Sequence, residues 1–214
     1  NDLGNPMLMD VTFSNNSANE GDGGGLLNGS GNPMLMDVTF SNNSADMGSG
    51  GGVHSANGDA VLTNVTFSDN SAERGGGMSM NYGGPTLTNA TFSRNSAHDS
   101  GGGMYNESDN PTLMDVAFSG NSAGRGGGMF NQNSSSPTLT NVSLSGNAAQ
   151  VGGGMHNRLN SSPTLTNVSF SANTASSSGG AMSNRHSSPT LTSVSFSGNT
   201  TVNAGGGMYN IFST

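Results

Sequence analysis

The sequence has little charge and lacks three residue types altogether. Only 8% of its 214 residues are charged, against roughly 25% in an ordinary soluble domain, and cysteine, tryptophan and lysine are absent. Without cysteine the chain can form neither disulfides nor thiolate metal sites. Aspartate and glutamate outnumber arginine by 13 to 5, and the net charge of −8 excludes nucleic acid and anionic membrane surfaces as expected partners.

Long apolar runs and helical patterns are missing as well. No apolar segment approaches the length of about 18 residues that a membrane-spanning helix needs, so no membrane insertion is expected. Glycine, asparagine, serine and threonine, which are poor helix formers, fill most of the chain. Composition alone would suggest disorder, but the order of the residues indicates a regular structure.

One sequence motif occurs eight times along the chain. Residues 5–18 and 32–45 are identical, and the later copies differ at only some positions. The steps between copies are 25 to 27 residues long, which is the range of stacked repeat architectures. The copies begin at Pro6, Pro33, Ala60, Pro85, Pro111, Pro137, Pro163 and Pro189.

Each copy places the same residue types at the same positions. Leucine lies two residues after the start, valine or alanine five, and phenylalanine or leucine seven. A glycine run and one large apolar residue follow later in the copy. An asparagine occurs ten residues after the start in all eight copies: Asn16, Asn43, Asn70, Asn95, Asn121, Asn147, Asn173 and Asn199.

These positions predict an all-β fold built from stacked coils. Apolar residues alternate with polar ones in the repeated motif and in the segment after the glycine run. This alternation indicates about three short strands per copy, each with one inward face. One copy has too few apolar residues to form a core, whereas stacked copies share one. We therefore predict a right-handed parallel β-helix (β-solenoid) of eight coils. The handedness follows from the general preference for right-handed crossovers.

Stacking also explains why the same asparagine returns in every copy. Aligned asparagines can form a ladder in which each side-chain amide bonds to the amides above and below. An isolated buried amide would lose several kcal/mol of hydration, on the order of 2–7 kcal/mol. We expect residues 1–214 to form a single array that is open at both ends, because the opening NDLGNP matches the tail of a coil.

The repeated elements resemble a known family. FSNN, FSDN, FSRN, FSGN and FSAN, each followed by GGGM, GGAM or a variant, are similar to the repeats of chlamydial polymorphic outer membrane proteins and related bacterial surface β-helix proteins. The resemblance covers nearly the whole chain. It implies a passenger region of a secreted or surface-attached protein, often one that acts in adhesion, and hence an extracellular or cell-surface location.

Two sets of side chains are candidate surface sites. An aromatic row is expected to point outward and contact carbohydrate or protein, although the same row could simply stabilise the sheet. In several copies an asparagine of an N-x-S/T sequon occupies the outward-facing position beside the valine of the V-x-F strand. These asparagines are candidate glycosylation sites. The aromatic row comprises Tyr105, Phe130, His156 and Tyr209. The candidate glycosylation sites are Asn64, Asn89, Asn141 and Asn167.

No catalytic, cofactor or metal site is expected. Asp10, Asp37 and Asp115 share one register, but asparagine occupies the same slot in other copies, which favours an outward polar ladder over a carboxylate pair. His54 and His156 share a register four coils apart and cannot ligate one ion, and all four histidines are expected at the surface. The glycine triplets occur throughout the array and are interpreted as structural.

The sequence thus predicts a non-enzymatic extracellular structural protein. Whole chains of this β-solenoid are expected to stack end to end into a surface filament or stalk. The main alternative is an adhesin passenger that binds carbohydrate or a host surface. A polysaccharide lyase or hydrolase and an ice-binding protein, the latter suggested by outward T-x-T pairs such as Thr138 and Thr140, are weaker alternatives.

Overall fold

A computed structural model describes residues 4–213 and confirms the parallel β-solenoid of eight coils. Residues 1–3 and 214 of the predicted array lie outside the described residues. No helix occurs within residues 4–213. Every strand pairs in parallel with the equivalent strand of the next coil, and like residues align, as Leu113 does with Leu139.

Seven of the eight coils contribute four strands, not the three that the sequence predicts, and the first coil contributes three. The extra strand lies between the recurring asparagine of each coil and its glycine run. This segment differs in length between coils, which in the sequence is typical of a loop. β-Bulges absorb the differences in length, for example between Ala72 and Arg74, so the strands still pair.

The four sheets are numbered here in the order in which the chain meets them. Sheet 1 comprises Met7–Met9, Met34–Met36, Val61–Thr63, Thr86–Thr88, Thr112–Met114, Thr138–Thr140, Thr164–Thr166 and Thr190–Thr192. Sheet 2 comprises Thr12–Ser14, Thr39–Ser41, Thr66–Ser68, Thr91–Ser93, Ala117–Ser119, Ser143–Ser145, Ser169–Ser171 and Ser195–Ser197. Sheet 3 comprises Ser44–Ser49, Ser71–Arg74, Ser96–Ser100, Ser122–Arg125, Ala148–Val151, Thr174–Ser178 and Thr200–Thr201. Sheet 4 comprises Leu26–Asn28, Val53–Ala56, Met78–Asn81, Met104–Glu107, Met129–Gln132, Met155–Arg158, Met182–Arg185 and Met208–Ile211.

The chain turns between sheets through residues in the left-handed backbone region. The corner between sheets 1 and 2 has φ of 53–56° in all eight coils. Asparagine and aspartate tolerate this conformation better than other non-glycine residues, which explains why they dominate the corner. The residues of this corner are Asp10, Asp37, Asn64, Asn89, Asp115, Asn141, Asn167 and Ser193.

The core is a set of apolar columns that run along the solenoid axis. Phenylalanines of sheet 2 stack on one another with centroid separations of 4.6–5.1 Å and nearly parallel rings, as in the pair Phe67 and Phe92. Leu144 interrupts this column. Leucines of sheet 1, the valines before sheet 2 and the methionines of sheet 4 complete the buried cluster.

The predicted asparagine ladder lies inside this core. The six members from Asn43 to Asn173 are buried. Each side-chain amide donates to the Oδ1 atom of the asparagine in the next coil, at 2.9–3.0 Å. The same amide donates to a backbone carbonyl of the preceding coil, as Asn121 does to Phe92 at 3.0 Å.

A second amide ladder, which the sequence reasoning missed, runs along sheet 4. Its members are buried except at the end of the array, and consecutive side chains are joined at 2.7–2.8 Å. Met80 occupies the equivalent position in an earlier coil, so the Oδ1 atom of Asn106 has no hydrogen-bond partner. The joined residues are Asn106, Asn131, Asn157, Asn184 and Asn210.

Candidate functional site

The aromatic row lies on the outer face of sheet 4 but is not exposed, which corrects the prediction of a surface contact row. Tyr105, Phe130 and His156 are only 2%, 1% and 5% exposed, and Tyr209 is half-buried. The rings do alternate with the inward methionines, as expected. They are buried because long side chains from neighbouring columns fold over them: Arg74 lies 5.9 Å from the Tyr105 ring centre.

The rings form a stack in three successive coils. Tyr105 and Phe130 are nearly parallel with centroids 5.5 Å apart, and His156 follows at 5.5 Å with a tilt of 35°. The guanidinium of Arg158 lies 5.3 Å from the Phe130 ring centre, within the range of a cation–π contact. This part of the row therefore acts as a packed outer layer.

A polar network covers the lower end of the stack. The Tyr105 hydroxyl donates to Glu107 Oε2 at 2.8 Å and accepts from Gln132 Nε2 at 2.5 Å. Arg158 in turn donates to Gln132 Oε1 through Nε at 2.9 Å and Nη2 at 2.5 Å. Burial and the neighbouring Glu107 carboxylate raise the pKa of Tyr105, so its hydroxyl remains protonated.

Four of the five arginines lie beside this row, although no motif indicates their clustering. Arg74 and Arg125 share a column at the end of sheet 3, while Arg158 and Arg185 are adjacent in sheet 4. Arg74 and Arg125 occupy one position of the repeat, and Arg158 and Arg185 occupy another. This recurrence is the sequence signal that could have revealed the cluster. The fifth arginine, Arg94, pairs elsewhere with Asp69 at 2.7 Å.

Three of these arginines line a groove of about 370 Å³ at the C-terminal end of the row. The residues that line it include no carboxylate. A second hollow of about 310 Å³ shares two of the arginines and adds Leu159 and His186. The first groove is lined by Arg125, Val151, His156, Arg158, Ser178, Ser183, Arg185, Tyr209 and Ile211.

The electrostatics of the groove are set by these cations. Burial, together with smaller contributions from the charges of Arg158, Arg125 and Arg185, lowers the pKa of His156 to about 4. The imidazole is therefore neutral at pH 7 and acts as a ring rather than as a cation. Asp99 pairs with Arg125 at 3.2 Å, and Arg158 donates to Gln132, so Arg185 is the exposed guanidinium at the rim of the groove.

His54 and His156 are also buried, contrary to the expectation that all four histidines are at the surface. Both belong to the outer column of sheet 4, where neighbouring columns cover them. Burial lowers the pKa of His54, and the Asp22 carboxylate opposes this shift. No group of three or more histidine, cysteine, aspartate or glutamate side chains that could hold a metal ion occurs in the described part of the chain.

The candidate glycosylation asparagines are exposed, but they lie at the left-handed corner before sheet 2 and not within a strand. Their side chains form short outer ladders that include the aspartates of the same column. Asn64 donates to Asp37 at 2.9 Å, and Asn89 donates to Asn64 at 2.8 Å. Asn141 and Asn167 continue from Asp115 in the same way. Glycosylation at these positions stays a prediction.

Asp109 is a buried carboxylic acid that the sequence reasoning did not single out. It is 1% exposed, and neither of its carboxyl oxygens has a hydrogen bond of ordinary geometry. Burial, with a smaller contribution from the Asp59 charge, raises its pKa to about 7, although nearby backbone amides offset part of the shift. The equivalent position holds glycine in the preceding coils and Ser135 in the next coil.

We expect Asp109→Ser to stabilise the protein at neutral and alkaline pH. The folded pKa exceeds the unfolded value of 3.8, so the stability that this group supports is present at low pH and is lost as the pH rises towards 7. Serine fits the column, as Ser135 and Ser161 show. Urea unfolding should give a gain of about 3 kcal/mol at pH 8 and much less at pH 4.5.

Asp46, an exposed carboxylate on a strand of sheet 3, provides the control for this substitution. Asp46→Asn should change stability by less than about 0.5 kcal/mol at either pH. An equal pH dependence of unfolding in Asp109→Ser and in the unmodified protein would show that Asp109 is not the responsible group.

Comparison with known proteins agrees with this architecture. The family model described as a right handed beta helix region matches residues 26–214, and the Chlamydia polymorphic membrane protein repeat matches residues 10–29. No curated protein and no solved structure matches the chain. Within residues 4–213 no helix has the length and apolar character needed to cross a membrane. Since the first match covers well over half of the sequence, the chain belongs to the right-handed β-helix family and carries a repeat of the polymorphic membrane protein type.

Proposed function

We propose that this chain is a non-enzymatic structural segment displayed at a cell surface, where its coils build a stiff stalk or filament. The observation that carries the proposal is the parallel pairing of equivalent strands in four sheets, with register shifts confined to sheet 3. A force along the axis is shared by these ladders and by the buried asparagine ladder. The polymorphic membrane protein repeat supports the surface location.

The same pairing supports stacking of one protein chain on a second, identical chain. Coils of this chain are nearly interchangeable, since residues 5–18 and 32–45 are identical. Parallel strands that pair with an equivalent strand within the chain can pair with one from a second copy in the same way. The proposed partner is therefore the chain itself, joined head to tail.

Negative-stain microscopy of the purified chain tests this proposal. We expect fibres one coil wide whose length grows with protein concentration. Phe196→Lys, which places a charge on the inner face of the last coil, should shorten the fibres, whereas Met47→Lys on the side of the solenoid, where the residue is 77% exposed, should not. Monodisperse short rods at every concentration would contradict head-to-tail stacking.

A second candidate function is that of an adhesin passenger that binds carbohydrate. The arginine-lined groove favours it, because it is a concave site beside aromatic rings in a chain with very few cations. Assays on acidic polysaccharides separate both candidates from a lyase or hydrolase, and we expect no cleavage. An assay of ice recrystallisation is likewise expected to show no inhibition.

A further inference from the structure

The outer face of sheet 1 carries methionine side chains in its first two coils. The two strands both read MLM, with the leucine packed towards the core and the methionines on the outer face. Met7 is 64% exposed, Met9 51% and Met34 39%, and Met36 is half-buried. These four residues form the methionine cluster of the protein.

The pairing of the two strands brings the methionine cluster together. Met7 aligns with Met34, and Met9 aligns with Met36. Paired strands lie about 4.8 Å apart and alternate residues of one strand about 6.6 Å apart, so the four Cα atoms mark the corners of a small rectangle. Methionine is unbranched and has three rotatable side-chain bonds. The four thioether sulfurs can therefore converge on one point above the sheet.

The fold does not require methionine at these positions. Threonine occupies both of them in four later coils, as Thr138 and Thr140 show, and the strands pair in the same way. A lone outward methionine, Met114, lies between Thr88 and Thr140 in the same column. Contiguous exposed apolar side chains mark sites of interaction more than scattered ones do, so the cluster calls for a ligand.

The charge around the methionine cluster is strongly negative. Residues 1–60 contain seven of the thirteen carboxylates and none of the five arginines. Asp10 and Asp37 directly follow the two MLM strands, and both are exposed. A surface of one charge sign raises the local concentration of ions of the opposite sign. The cluster thus combines uncharged sulfur ligands with a field that attracts cations.

We propose that the methionine cluster binds a soft monovalent metal ion, copper(I). Thioether sulfur is a soft ligand that selects Cu(I), whereas Zn²⁺ takes thiolate, imidazole or carboxylate ligands and Ca²⁺ takes oxygen. The sulfurs supply the ligands, and the carboxylates of Asp10 and Asp37 offset the charge of the ion. The site lies on the side of the solenoid, so it goes beyond the proposed functions and does not depend on them.

Titration with silver(I), a redox-stable soft cation of the same charge, tests the proposal. The full chain, labelled with carbon-13 at the methionine methyl groups, gives one NMR signal for each of its 13 methionines. In chloride-free buffer, silver nitrate should shift the four signals of the methionine cluster and saturate at one ion per chain. The signals of Met47 and Met114 should not move, although both side chains are exposed. Copper(I) under anaerobic reducing conditions should shift the same four signals, and Zn²⁺ and Ca²⁺ should shift none of them.

Leucine substitutions locate the ligands, because leucine removes the sulfur but keeps the apolar surface and nearly the same volume. Met9→Leu and Met36→Leu should each weaken silver binding at least about tenfold, since loss of even an outer partner of a metal ligand costs about 10–100-fold in affinity. Met114→Leu is the matched control, because Met114 lies in the same column as Met36 and outside the cluster. It should leave the affinity unchanged, and all three variants should keep the thermal stability of the unmodified protein.

Each contrary outcome has a distinct meaning. Unchanged silver affinity in both Met9→Leu and Met36→Leu, or equal shifts of the Met47 and Met114 signals, would overturn the site in favour of unspecific thioether binding. Tighter binding of Ca²⁺ or Zn²⁺ than of silver, lost in Asp37→Asn, would replace it with a carboxylate site. Failure of both silver and copper(I) to bind would overturn the proposal and leave the cluster as an apolar surface.

Discussion

Gly127→Ala is expected to disrupt the stack of coils, with a loss of about 5 kcal/mol or more in the free energy of unfolding. A Cβ atom at Gly127 would lie 2.4 Å from the carbonyl oxygen of Ala148 and 2.6 Å from that of Gly153. Both atoms belong to the backbone of the next coil, so no side chain can rotate away to relieve the clash. Relief requires the two coils to separate.

The same close approach recurs at the middle glycine of every coil except the last. The nearest backbone oxygen of the neighbouring coil would lie 2.2–2.4 Å from an added Cβ. At Gly206, in the last described coil, the nearest atom is 3.0 Å away and lies within the same coil. The invariant glycine is thus required by contact between coils. The equivalent residues are Gly24, Gly51, Gly76, Gly102, Gly153 and Gly180.

Gly146→Ala provides the control for the glycine prediction. Gly146 has φ of +61°, but an added Cβ would meet nothing closer than the Gly120 nitrogen at 4.0 Å. Ala172 occupies the same corner one coil later with φ of 53°. Thermal unfolding followed by circular dichroism should show a loss of about 1 kcal/mol for Gly146→Ala. Similar losses for the two variants would contradict the steric explanation.

The period of the sequence was sufficient to predict the solenoid, because stacking places equivalent residues of different coils in contact. Phenylalanine and asparagine return at fixed positions, and those positions became the ring stack and the ladder. The short apolar strands were recognisable since each has a large residue on its inner face. Handedness came from a general rule, and the family match agrees with it.

Sheet 3 escaped prediction because its inner face has only small residues. Ala45, Ala72, Ala97 and Ala175 are buried there, and alanine alone does not produce a strong strand pattern. The bulges vary the segment length, which suggested a loop. Alanine recurs two residues after the conserved asparagine in seven of the eight coils, and this was the signal that could have identified the strand.

The site was harder to predict than the fold. Alternation along sheet 4 correctly placed Tyr105 and Phe130 on the outer face, but exposure depends on what covers that face. The covering residues, Arg74 and Arg158, come from different repeat positions and different sheets. Arg74 reaches the row across the corner between sheets 3 and 4, Arg158 reaches it from the next coil of sheet 4, and no sequence pattern specifies either approach.

Asn121→Ala should cost about 4 kcal/mol in the free energy of unfolding. In the native ladder, the backbone amide and side-chain amide of Asn95 both donate to Asn121 Oδ1, at 2.9 and 3.0 Å. Asn121 Nδ2 also donates to the Phe92 carbonyl and to Asn147 Oδ1, each at 3.0 Å. Alanine leaves these buried groups without partners, and each such loss costs about 1–3 kcal/mol.

Asn167→Ser is the matched control, because it removes a member of an exposed ladder. Asn167 donates to Asn141 Oδ1 at 2.7 Å in contact with water, and Ser193 occupies the same corner in the next coil. Water can replace the lost bond, so urea unfolding should show a loss of less than about 1 kcal/mol. Comparable losses in the two variants would mean that burial does not determine the strength of a ladder in this protein.

The position of Asn121 near the middle of the array adds a second observable. Each coil of a solenoid contacts only its neighbours, so one weak interface can divide the array into two parts that unfold separately. Asn121→Ala should therefore broaden or split the urea transition, whereas Asn167→Ser should keep a single one. A single sharp transition in Asn121→Ala, merely shifted to lower urea, would show that cooperativity extends across the damaged interface and does not depend on each step of the ladder.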